Sequence, residues 1–61
     1  MWEYELKIIY FKLYSELLIQ LNDEGKKGWE VINYDEEKPT KFGANYKAII
    51  LFKRHINETN R

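Results

Sequence analysis

Glu3, Glu5 and Glu30 are the side chains of this chain best suited to acid–base work, and Ser15 and the single His55 are the remaining candidates. Paired carboxylates act as acid and base when burial drives their pKa values apart. That needs a pocket, and a small single-layer sheet offers none. The three glutamates therefore read as solvated charges matched across strands by Lys7, Lys47 and Lys53. Ser15 has no base in sequence reach, and His55 lies near a polar tail. One histidine without cysteines builds neither a thiolate zinc site nor a metal cage. The expectation is a non-enzyme with no cofactor and no metal.

The stretch Gly25-Lys26-Lys27-Gly28-Trp29 brings lysines and glycines together in the manner of a phosphate loop. Such loops set their glycines before a helix, where free N–H groups face the anion. Here the glycines follow a helical pattern, where carbonyls and negative charge accumulate. Neither lysine is followed by Ser or Thr, as the Walker pattern requires. The corner reads as structural: Gly28 as a left-handed helix stop, Trp29 as a core plug, and Gly25 as a helix-interior glycine whose cost implies close approach to a sheet.

Period-two alternation runs from Trp2 to Tyr10, with Trp2, Tyr4, Leu6, Ile8 and Tyr10 on one face and Glu3, Glu5, Lys7 and Ile9 on the other. The more apolar set is assigned to the core. From Lys12 to Lys27 the spacing turns helical, with Leu13, Leu17 and Leu21 on one stripe and Ser15 or Lys12 at the start. Trp29–Tyr34 reads as a second strand, followed by a charged loop, 35–45. Tyr46–Arg54 is apolar on both faces, which marks a central strand. The expected fold is α+β, a single β-α-β-β unit with a three-stranded antiparallel sheet in order 1-3-2 and one helix on one face, a split β-α-β arrangement. Residues 1–54 form the domain and 55–61 a polar tail.

The same residues carry a resemblance. Trp2-Glu3-Tyr4, Leu21-Asn22, Gly25, Gly28-Trp29-Glu30 and finally Leu51, Lys53 and Arg54 resemble the pattern of small bacterial and phage domains known only as domain of unknown function 4177. Glu5 departs from the lysine usual there, and Glu24 stands where that family often has leucine. The resemblance implies the β-α-β-β fold and brings no catalytic residues.

The chain has 61 residues and a formal net charge of +0. A domain of this length buries only about 60% of its unfolded surface and benefits from a staple. With no cysteine, self-association is the staple left. Zero net charge argues against nucleic acid, although Tyr4, Tyr10, Tyr14, Tyr34, Tyr46, Phe11 and Phe42 include rings able to stack on bases. No apolar run approaches a membrane span, and Glu3 and Glu5 interrupt any leader-like stretch, so the expected compartment is the cytoplasm.

The sheet face away from the helix is expected to present Ile9, Ile32, Tyr34, Ile49 and Leu51 inside a charged rim and to stack on a second copy, the favoured of two routes to a dimer; the other pairs the first strands edge to edge into a six-stranded sheet. Lysine far outnumbers arginine, a usage typical of AT-rich genomes. With the resemblance, this points to a phage-encoded homodimer that binds a host defence protein. Two other readings stand beside it. One is a sponge that holds a nucleotide signal between subunits through Lys38, Lys41 and Phe42; the other is a bacterial regulatory adaptor.

Overall fold

The computed structural model describes residues 1–41, 43 and 45–56. Four elements follow one another: β1 (Trp2–Phe11), α1 (Tyr14–Lys26), β2 (Glu30–Glu37) and β3 (Tyr46–His55). They form an antiparallel three-stranded sheet in the order β1-β3-β2 with the helix on one face, the expected α+β arrangement. β1 runs one residue beyond the expected Tyr10, to Phe11, and β2 runs three residues further than expected. His55 belongs to β3, and just beyond it the Ile56 N–H donates to the Met1 carbonyl, so the expected tail boundary after Arg54 falls two residues too early.

The helix begins after Leu13, not at Lys12 or Ser15. Glu16 decides the start: its Oε1 accepts from the backbone N–H of Lys12 at 3.0 Å and of Leu13 at 3.2 Å. The Glu16 N–H in turn donates to the Leu13 carbonyl. This carboxylate reaches back as in a capping box, although leucine supplies no side-chain acceptor. Those donors hold the Glu16 carboxyl below the usual range.

At the other end Gly28 has φ +91°. The Gly28 N–H donates to Gly25 O at 2.9 Å and the Trp29 N–H to Glu24 O at 3.1 Å, the paired bonds of a Schellman stop. The glycine corner is thus a helix terminus. A Cβ at Gly25 would meet nothing within 4 Å, so the close approach expected to compensate that glycine is absent.

The largest correction concerns the two faces of β1. Ile9 pairs with Ala48 and Phe11 with Tyr46, which places the odd-numbered residues of β1 beside the even-numbered residues of β3. The helix covers this face. The core is Ile9, Phe11, Leu17, Ala48, Ile50 and Phe52, with Leu21, Trp29 and Tyr46 packed against it. Ile9 is 4% exposed and Ile8 is 52% exposed, the reverse of the sequence expectation. Alternation separates two faces but does not say which one a helix will take. Here a link of only two residues, Lys12 and Leu13, joins β1 to α1, with Phe11 buried in the core on the helix side.

Candidate functional site: the open sheet face

The uncovered face carries Trp2, Tyr4, Leu6, Ile8 and Tyr10 of β1, all exposed. Their β3 partners are His55, Lys53, Leu51, Ile49 and Lys47. On the far side of β3, Glu30, Asn33, Asp35 and Glu37 pair with Lys53, Leu51, Ile49 and Lys47. The face is therefore graded: an aromatic and aliphatic strip on β1, an Ile–Leu centre between two lysines on β3, and an acidic strip on β2. Leu6 is 64% exposed at the middle of the apolar strip.

One end of the face is organised around Trp2. The Lys53 Nζ lies over its ring at 4.1 Å from the centroid, a cation–π contact. His55 meets the same ring edge-on at 4.5 Å. The histidine is thus part of an aromatic cluster.

The residues named from sequence distribute unevenly. Ile49 and Leu51 lie on the open face as expected, and so do Glu30, Lys47 and Lys53. Ile9 does not, being core. Tyr34 pairs with Ile50 and so lies on the helix side, at the β2 edge beyond the helix's cover. Ile32 stands at the register shift between Val31 and Asn33, exposed. Glu3, Glu5 and Lys7, expected on the open rim, lie on the helix side. Lys38 and Lys41 are exposed in the β2–β3 connection, and Phe42 lies outside the described residues. Trp2, Tyr4, Leu6, Ile8 and Tyr10 are the face residues that the sequence reading sent to the core.

Beneath the helix lies a second polar arrangement. Glu24 is buried at 4% exposure and accepts from the Lys7 ammonium at 2.5 Å. That bond pulls the Glu24 carboxyl below its usual range and raises Lys7 above its own. One carboxylate oxygen of Glu5 is buried with no hydrogen-bond partner. Arg54 ion-pairs with Glu3, donates to the Lys27 carbonyl at 2.8 Å, and stacks on the Trp29 ring at 4.4 Å. A cleft of about 490 Å3 opens here, lined by Glu3, Lys27, Gly28, Arg54, His55 and Ile56. Its arginine is already committed to a carboxylate and a carbonyl.

A third cluster ties the helix start to the β2 edge. Tyr14 and Tyr34 both donate to the Glu36 carboxylate, at 2.7 and 2.8 Å. The bond to Glu36 pushes Tyr14 up to about 12, and desolvation followed by the same acceptor takes Tyr34 to about 12. The two phenols lower Glu36 in return.

No family model, no curated protein and no solved structure matches the chain. No helix among the described residues is long and apolar enough to cross a membrane.

Proposed function

We propose that this chain is a small non-enzymatic binding protein of the cytoplasm, that it works as a homodimer, and that it grips a protein target with the open face of its sheet. The observation that carries the reading is the continuous strip of Trp2, Tyr4, Leu6, Ile8 and Tyr10, exposed beside Ile49 and Leu51 and bordered by charge. Tryptophan and tyrosine dominate the energetics of protein interfaces. An exposed apolar patch within a polar rim is the usual form of such a site. The acidic strip of β2 favours a target with basic groups on one flank.

The resemblance to small bacterial and phage domains extends the reading to a phage product that binds a host defence protein. A regulatory adaptor would use the same face. A nucleotide sponge has less support: Lys38 and Lys41 are exposed cations on a loop, and Arg54 is occupied.

Ile49→Glu tests the face, because it sets a charge at the centre of the open surface without touching the core. A host-lysate protein captured by the wild type should be lost with this variant and kept by Ile19→Glu, a change at an exposed helix position. Equal capture by both variants would refute the site. Light scattering at micromolar concentration tests the assembly, and a well-folded monomer would remove the homodimer.

A further inference from the structure

Among the described residues both outer strands leave one side of their backbone without a strand partner, and only one of them is defended. β2 carries Glu30, Asp35, Glu36 and Glu37 with no cation, and its ladder is broken at Ile32. Two copies of such an edge repel each other, a common guard against self-pairing. β1 has ten residues in unbroken register with β3, no proline and no bulge. Its charges, Glu3, Glu5 and Lys7, are of mixed sign.

From this contrast we infer that the homodimer forms by antiparallel pairing of β1 with the partner's β1, centred on Leu6, giving one six-stranded sheet. The inference rests on the homodimer reading above and specifies its geometry. A two-fold axis must pass through a residue position, since a half-step would turn each apolar strip to the opposite side. The charges then choose among positions. Centring on Glu5 sets Glu5 directly against the partner's Glu5 between two Glu3–Lys7 pairs, and centring on Lys7 sets lysine against lysine. Centring on Tyr4 sets Glu3 against the partner's Glu5. Centring on Leu6 sets Glu5 against the partner's Lys7 twice over, and it also overlaps nearly the whole strand. Opposite charges across strands stabilise and like charges destabilise.

Edge pairing also leaves the apolar face free. The strip from Trp2 to Tyr10 meets its symmetry mate across the seam, Tyr4 beside the partner's Ile8 and Leu6 beside Leu6. The result is a target platform twice as wide. Face-to-face stacking would consume that surface, and its expected rim of Glu3, Glu5 and Lys7 lies on the other side.

Cysteine cross-linking reads the register directly, because the chain has no cysteine of its own. Directly opposed antiparallel residues have Cα atoms roughly 4.5–5.5 Å apart, within disulfide reach. Leu6→Cys should therefore oxidise to a covalent dimer. Tyr4→Cys alone and Ile8→Cys alone should not, since each lies four residues from its own copy, roughly 13 Å along the strand. An equimolar mixture of those two should cross-link. Glu5→Lys should raise the dimer Kd roughly tenfold, because both symmetric pairs turn repulsive. A dimer that keeps its wild-type Kd in Glu5→Lys, or that cross-links at Ile8 but not at Leu6, overturns the edge geometry and leaves the homodimer standing. A monomeric wild type removes both.

Discussion

Gly25 and Gly28 stand three residues apart, and alanine should move stability in opposite directions at the two. At Gly28 the backbone has φ +91°, and a Cβ would find only the Arg54 Cδ, at an ordinary 3.9 Å. Space is not the constraint. The cost of a side chain is the left-handed backbone itself, about 1–2 kcal/mol for an L-residue. At Gly25 the backbone is helical and a Cβ meets nothing within 4 Å. Alanine there should gain about 0.5–1 kcal/mol, since glycine is the poorer helix former. A domain of this size shifts its Tm by about 4–8 °C per kcal/mol. Gly25→Ala should thus melt several degrees above wild type, and Gly28→Ala about 4–16 °C below it. Gly28→Val should lose at least as much, and Gly28→Asn less, because asparagine tolerates the left-handed region. Thermal melts followed by circular dichroism at one fixed protein concentration provide the comparison, since dimerisation makes Tm concentration-dependent. Equal Tm for wild type and Gly28→Ala would refute the helix-stop argument. A fall for Gly25→Ala would show that Gly25 answers a packing demand.

The swapped faces of β1 set a second test: Ile9→Ala should cost about 2–5 kcal/mol, and Ile8→Ala far less, by denaturant titration. Glu24→Gln should cost about 1.5–3 kcal/mol, the worth of a hydrogen bond to a charged group, with the upper end discounted because the Lys7 side chain is 38% exposed. Stability should also fall at both extremes of pH. Glu16, Glu24 and Glu36 have lowered folded pKa values, so their contribution is present above the ordinary carboxylate pKa and is lost as pH falls through the folded values. Tyr14 and Tyr34 are raised, so theirs is complete below pH about 10 and is lost as pH climbs toward about 12, and Lys7, also raised, contributes stability that is lost as pH rises through its folded value. Urea midpoints across pH would check both limbs, and a flat alkaline limb would contradict the Tyr–Glu36 contacts.

The element order, the central position of β3 and the glycine stop were legible in the sequence, because each leaves a local mark. Tyr46–Arg54 is apolar on both faces, and Gly28 follows two lysines at the end of a leucine stripe. The face of β1 was not legible, because it depends on register between segments some forty residues apart. Taken alone, the even-numbered set of β1 is the more apolar, and hydrophobicity gives the wrong answer. The informative signal was Phe11: extending the strand by one residue joins Phe11 to Ile9 on the odd face. Glu24 was a further clue, lying one helical turn beyond Leu21 on the inward stripe, where a carboxylate needs a cation such as Lys7 on the facing strand. Glu5 and Glu24, the two departures from the resembled pattern, both lie near Lys7 in the fold.

The position of β3 bears on how the chain acquires its structure during synthesis. It is the middle strand of the sheet and the last of the four elements to be made. β1 and β2 have no ladder with each other, so neither has a strand partner until Tyr46–His55 emerges. Before then only α1 can form from local bonds, and a short isolated helix is marginal in water. The nascent chain must hold the apolar strip of β1 unpaired until β3 has been made. Its sheet contacts are then formed together, at long sequence separation, which slows folding and lengthens exposure to aggregation.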